Sequence, residues 1–240
     1  LRCLDLLQSM SCVEISGVVT APKTFPISYR KDSEFNNVLH ADVASYCDSN
    51  DLNCVTISKG MKDPKLLELV KSWNPSFFVV VGWYHLLPSS WIELVPAYEL
   101  HASLLPDYSG GAPLVWALIN GEREWGDSFF RMTDEYDAGV VISQKKIEIL
   151  NNDTVFTFYN KIAWSSYCTI KEKLQSWNKG DLTPSDVTGN EPSYFYRRTP
   201  EDGEIDESMT AIQQYNYVRA LTKPYPGAFF KLKGKKIIVW

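Results

Sequence analysis

The chain has 240 residues, 45% hydrophobic and 22% charged, enough for one good core and a smaller second unit. Its formal net charge of -5 argues against binding nucleic acid through overall positive charge, which needs clustered Lys and Arg. No apolar run approaches the roughly 20 residues of a membrane span, and the first residues lack the basic-then-apolar order of a signal peptide.

Cys3, Cys12, Cys47, Cys54 and Cys168 form no CxxC pair, and their odd number leaves at least one outside any intramolecular disulfide. Reduced thiols and a cytoplasmic location are expected.

In chain order, LRCLDLLQSM at 1–10 puts Leu1, Leu4, Leu7 and Met10 on one helical face. VEISGVVT at 13–20 follows as a strand. Because a helix comes first and Leu1 is not a Met, a preceding strand is expected to be missing. The polar stretch 23–37 has no period and reads as a loop or lid, 41–47 as a short helix, 52–58 as a strand, and 63–74 as a helix with Pro64 near its start. SFFVVVGW at 76–83 has the near-continuous apolar character of a parallel strand covered on both faces.

A loop at 84–88 follows that strand's carboxyl end, where open α/β sheets place ligands. A short helix is predicted at 89–95, a strand at 98–102, and a helix at 112–121 that Gly121 can terminate. Strands at 127–135 and 140–149 precede a long helix at 152–180, capped by Asn152 or Asp153 and stopped by Gly180. This order predicts an α/β, Rossmann-like three-layer fold with a mainly parallel sheet. Residues 181–207, rich in Pro, Gly and charge, read as a linker that can lie across the first unit. A helix at 208–222 and a β-like tail then begin a small C-terminal β (OB-like) unit, which is expected to be cut short at Trp240. The organisation is thus a catalytic unit at 1–180, a linker at 181–207 and the start of a second unit at 208–240.

Three histidines are candidates for chemistry. His40 follows a polar stretch and suits a surface role, and His85 ends a strong strand, where a ligand pocket and loop packing are both open. His101 differs, because strand alternation puts Glu99, His101 and Ser103 on one face. A carboxylate beside an imidazole suits acid/base work; a structural histidine beside a solvated Glu has the same pattern. Asp137 sits in a tight turn before Gly139, where turn geometry alone can select Asp. No second His or Cys lies at metal-ligand spacing from His101, so no metal is expected. Ser103 lacks the sharp turn of a nucleophile elbow, and GGAP is no phosphate-binding fingerprint.

HASLLPDYSGGAPLVWALINGE at 101–122, followed by FFRMTDEYDAGVVISQKKIEI at 129–149, strongly resembles the formyltransferases that use 10-formyltetrahydrofolate. VVTAP at 18–22, the 75–88 segment and VRALTKPYPGAFFKLKGKKIIVW at 218–240 extend the resemblance over nearly the whole chain. It implies transfer of a formyl group from 10-formyltetrahydrofolate, as co-substrate, to a primary amine. RRTPEDGEID and RALTKPYPGAF look more like the amino-sugar nucleotide group than the methionyl-tRNA group, so a nucleotide-linked amino sugar is the expected acceptor and tRNA the alternative.

By this resemblance His101 stabilises the tetrahedral intermediate and moves the amine's proton, while Asp137 orients and charges it. Trp83, Tyr84, Leu86, Ser103, Leu104, Leu105, Pro106, Gly111, Thr133, Asp134, Glu135 and Tyr136 would bind the folate. Two positions depart from the family pattern. Glu99 stands where an Asn usually donates to the formyl oxygen, and Gly111 stands where the amino-sugar enzymes often carry Arg. An ionised Glu99 cannot donate, whereas a protonated one can, and a close Asp137 would favour the proton. Hydrolysis of formyltetrahydrofolate, and folate binding without efficient catalysis because of Glu99, are the further readings. A homodimer is left open.

Overall fold

The computed structural model describes residues 1–27, 30–37, 39–175, 177, 183–185 and 192–240, with 25–27 and 30–36 described in their backbone only. The expected Gly180 helix stop and part of the 181–207 linker lie outside the described residues.

The amphipathic start forms α1 (Arg2–Ser9), followed by β1 (Val18–Thr20), shorter than the strand expected over 13–20. The stretch expected as a loop or lid is instead an antiparallel hairpin of β2 (Thr24–Ile27) and β3 (Arg30–Asn36). Its register shifts between Pro26 and Ile27, an irregularity suited to a residue that cannot donate to the ladder. Helix α2 (Val43–Ser49), capped by Asp42, leads to β4 (Cys54–Thr56), which pairs parallel with β1. Helix α3 (Pro64–Ser72) starts with Pro at its first position, where no N–H is needed, and the Asp63 side chain accepts from the Lys65 N–H.

The apolar run yields β5 (Phe78–Val81), and the one-turn α4 (Ser89–Ile92) precedes β6 (Ala97–His101). Next come β7 (Ser109–Gly110), α5 (Pro113–Asn120), β8 (Glu124–Arg131) and β9 (Val140–Glu148). Gly121 ends α5 in the left-handed conformation, as its position predicts. The central sheet has the order β5-β6-β8-β9. Its β5–β6 pair is parallel, whereas β6–β8 and β8–β9 are antiparallel, so the α/β expectation holds with a mixed central sheet.

Helix α6 (Val155–Gln175) begins after Thr154, whose hydroxyl accepts from the Thr157 N–H at 3.4 Å. Thr154 therefore takes the capping role expected of Asn152 or Asp153, and the Asp153 carboxylate instead receives Lys161 at 2.5 Å. Beyond it lie β10 (Tyr194–Phe195), paired parallel with β7, and a 3-10 turn (Pro200–Gly203). Helix α7 (Ala211–Leu221), opened by a Thr210–Gln213 capping box, precedes the hairpin of β11 (Ala228–Leu232) and β12 (Lys235–Val239). Among the described residues no helix is long and apolar enough to cross a membrane.

Three buried clusters hold these elements. Tyr98 and Leu100 of β6 and Phe129 of β8 pack with Leu6 of α1 and with Ile170 and Leu174 of α6. Because side chains alternate along a strand, Glu99 and His101 face away from that layer. A second cluster joins Leu114, Val115 and Leu118 of α5 to Phe158 and Ile162 of α6, and to Tyr217, Ala220 and Leu221 of α7. A third unites Ile57, Met61, Leu66, Val70 and Trp91 with Val19 of β1, Val55 of β4 and Phe78 of β5.

Candidate active site

The site begins at the end of β6. His101 retains only 9% exposure, and its Nδ1 lies 3.5 Å from Oδ1 of Asp137, itself 14% exposed. Asp137 comes from the loop between β8 and β9 and has φ 49, a left-handed conformation that Asp adopts more readily than most residues. Its other oxygen accepts the Gly110 N–H at 2.7 Å. His101 Nε2 lies 3.1 Å from the Tyr108 carbonyl oxygen. A carbonyl can only accept, so Nε2 carries a hydrogen. The Asp137 carboxylate 3.5 Å away gives Nδ1 a neighbour that can only accept.

Glu99 occupies the same strand face. Burial first, and the negative charge of Asp137 second, push its carboxyl up to about 8. At neutral pH it is therefore mostly protonated and carries an O–H donor.

The turn after β6 is held from beneath. The Ser103 hydroxyl donates to the Asp107 carbonyl at 2.7 Å, and the Ser128 hydroxyl donates to the Ser103 carbonyl at 2.7 Å while accepting the Leu105 N–H at 3.0 Å. Gln144 donates to the Leu105 carbonyl at 2.7 Å. The Leu105-Pro106 peptide is cis. Leu105 and Pro106 so placed line a cavity of about 250 Å³, together with Asp137, Ala138, Gly139, Val140, Val141 and Ser185.

The sequence-predicted residues divide in their placement. His101, Asp137 and Glu99 converge, and Leu105, Pro106 and Asp137 share the cavity. Ser103 is fully buried inside its own turn, and Leu104 packs against Gly126. Neither is among the cavity-lining residues. Thr133 closes its loop by donating to the Ala138 carbonyl, and Tyr136 stays 62% exposed. Asp134 and Glu135 are exposed beside them. Trp83, Tyr84 and Leu86 sit in the loop after β5: the Trp83 ring lies 5.5 Å from that of His85, Tyr84 Oη accepts from Asn37, and Leu86 is exposed. Burial, and then the Arg197 charge, lower the pKa of His85. Gly111 lies under the chain at Arg197, whose Cα would be 2.7 Å from an added Cβ.

Sequence reasoning missed the Tyr108 carbonyl and the Gly110 amide, because backbone groups have no residue-type signature. It also missed Ser128 and Gln144. They stand opposite one another in the β8–β9 register, which no sequence pattern marks.

Residues 5–172 match the formyl transferase family model, and residues 197–240 match the model of the formyl transferase C-terminal domain. The bifunctional polymyxin resistance protein ArnA of Wigglesworthia glossinidia brevipalpis is 38% identical over 185 residues, which cover 76% of this chain and 28% of that protein. The chain thus spans less than a third of that relative's length. Among solved structures, a 4-N formyltransferase from Francisella tularensis superposes with a TM-score of 0.74 at 19% identity, covering 99% of this chain and 90% of that one. HypX from Aquifex aeolicus, in complex with tetrahydrofolic acid, gives a TM-score of 0.65 at 21% identity over 81% of this chain and 34% of that one. These likenesses bear out the resemblance first carried by the 101–122 and 129–149 segments: the chain belongs to the formyl transferase family.

Proposed function

We propose that this chain transfers a formyl group from 10-formyltetrahydrofolate to the primary amine of a nucleotide-linked amino sugar. The observation that carries the reading is the His101–Asp137 pair, with a protonated Glu99 on the same face, at the edge of the cavity that Leu105 and Pro106 line. Leu105, Pro106, Val140 and Val141 give that cavity the apolar walls that suit a flat ring system. The tetrahydrofolate complex of HypX supports folate as the formyl carrier, and the sugar N-formyltransferase of Shewanella sp FDAARGOS_354, which superposes with a TM-score of 0.64 at 20% identity over 84% of this chain and 81% of that one, supports a sugar amine as the acceptor.

The folate would supply the formyl carbon and the nitrogen that leaves it. The rest falls to this chain's side chains. A primary amine attacks as its neutral form, and the formyl oxygen gains negative charge as the new C–N bond forms. Protonated Glu99 donates its O–H to that oxygen, the task for which an amide is the usual choice. His101 in its imidazolium form adds positive charge nearby and can give its Nε2 proton to the folate nitrogen as that nitrogen leaves, after which the ring takes up the proton the amine must lose. Asp137 holds the ring in position and supports its charge, since its other oxygen is fixed by Gly110. A Glu99 kept neutral by burial supports catalysis over the reading of a disabled folate-binding relative. We place the catalytic unit at 1–180, the linker at 181–207 and the start of the C-terminal unit at 208–240.

The test is incubation with 10-formyltetrahydrofolate and a panel of nucleotide-linked amino sugars, followed by mass spectrometry. One sugar should gain the mass of a formyl group at its amine, and the corresponding hydroxyl sugars should not. Release of formate with every acceptor left unmodified would overturn the reading in favour of a hydrolase.

A further inference from the structure

His101 and Asp137 each have a second partner, and both partners lie in one short segment: the Tyr108 carbonyl and the Gly110 N–H. That segment is poorly determined by its own sequence. Tyr108, Gly110 and Ala112 have φ of 56, 98 and 54, all in the left-handed region, and β7 is only two residues long. The Tyr108 hydroxyl donates to Glu122 at 2.6 Å and accepts from Asn120 at 2.9 Å, but the backbone N–H groups of 108, 109 and 111 are held from far along the chain. The Tyr108 N–H donates to the Ser193 hydroxyl at 2.9 Å, and the Ser109 N–H and hydroxyl donate to the Ser193 carbonyl at 2.9 and 3.0 Å. The Gly111 N–H donates to the Phe195 carbonyl at 2.8 Å. The rings of Tyr108 and Phe195 stack at 4.3 Å with 5° between their planes. Contact is so close that a Cβ on Gly110 would overlap the Phe195 carbonyl oxygen.

The strand that does this is itself anchored. The Trp116 indole donates to the Tyr196 carbonyl at 3.0 Å, and the Arg198 guanidinium lies 4.7 Å from the Trp116 ring centroid and donates to the Tyr217 hydroxyl at 2.8 Å. Its position is therefore set by α5 and α7.

We propose that Ser193 and Phe195 are positioning residues for the reaction: they fix the Tyr108 carbonyl and the Gly110 amide, and through them the orientation of His101 and Asp137. Without this strand the 108–111 backbone loses the three hydrogen bonds that its N–H groups make to Ser193 and Phe195, and the Tyr108 carbonyl and Gly110 N–H are held less firmly against His101 and Asp137. The proposal rests on the reading of His101 as the centre of formyl transfer, but the ring's orientation is observable without any substrate.

The test uses the full chain with Phe195→Ala, Ser193→Ala and the conservative Phe195→Tyr. The ¹⁵N resonances of the His101 ring are recorded in each. Steady-state formyl transfer from 10-formyltetrahydrofolate to a nucleoside-diphosphate-linked 4-amino sugar is measured with kcat and KM kept separate. Phe195→Ala should shift or broaden the ring resonances and lower kcat about a hundredfold, with KM for the amine within about twofold, because misplacement costs rate rather than ground-state binding. Ser193→Ala should do the same about tenfold more mildly, and Phe195→Tyr should keep the wild-type spectrum. Unchanged His101 resonances and kcat in folded Phe195→Ala and Ser193→Ala would overturn the proposal. Should Phe195→Ala fail to fold, Ser193→Ala, which removes one hydrogen bond, decides alone. A wild-type chain that transfers no formyl group would refute the functional reading, while the ring resonances would still decide the role of the strand.

Discussion

Replacing Glu99 with Asn separates a protonated acid from a permanent amide donor. In the proposed mechanism the donor to the formyl oxygen is present only while Glu99 holds its proton, and burial with the Asp137 charge sets that limit at about 8. At pH 9 roughly a tenth of Glu99 would keep the proton, so the contribution of this donor to kcat should fall about tenfold between neutral pH and pH 9. Loss of a donor to a developing oxyanion costs on the order of 10²- to 10³-fold in kcat, so the decline should continue as pH rises further. Glu99→Asn should abolish that alkaline limb, because an amide donates at every pH. The assay is kcat against pH for both proteins with one acceptor. Titration of the acceptor's own amine then enters both profiles equally and cancels in their ratio. Superimposable profiles through pH 8 to 9 would refute the reasoning.

Other predictions follow from the same geometry. Folded Glu99 keeps its proton up to about 8, whereas the unfolded chain releases it near 4.5, so unfolding frees a proton between those values and stability should fall as pH rises through that window. The difference corresponds to on the order of 5 kcal/mol. Chemical denaturation of the wild type against Glu99→Gln between pH 5 and 8 measures it, and parallel curves would contradict it. Asp137→Asn removes the charge that helps hold the Glu99 proton, so the alkaline limb should move toward acid as kcat falls by about 10²-fold or more; an unmoved limb would show that the two carboxyls do not interact. Gln144→Ala frees the Leu105 carbonyl and one contact of Ser128, and should raise KM for the folate more than it lowers kcat. Equal losses in kcat with KM unchanged would show that Gln144 does not act through the cavity wall.

How far the sequence carried these conclusions depended on whether the signal was local. The alternation at 98–102 was legible because β6 is a core strand whose burial sets its residue types, whereas the run at 76–83 gave β5, which is only partly buried with Val81 exposed rather than covered on both faces. The placement of Glu99 and His101 on one face followed directly. The 24–36 hairpin was not legible, because its polar sequence has no apolar period to distinguish it from a loop. Asp137 could be tied to His101 only by resemblance, since the loop that brings it there spans the turn between β8 and β9 and its residue type alone equally fits a turn. Of the expected folate positions, Ser103 bonds within its own turn and Leu104 packs against Gly126 of β8. The pairing of β10 with β7 joins two-residue strands far apart in sequence, and no local pattern marks either.

The central claim is that His101 is the group through which a formyl transfer runs. It is tested most directly by single-turnover transfer from 10-formyltetrahydrofolate to the acceptor identified by mass, comparing the wild type with a folded His101→Ala. The account predicts that the chemical step falls by about 10²- to 10⁴-fold, the range typical of a lost acid/base group, while the folate still binds. Transfer at the wild-type rate in His101→Ala would contradict it.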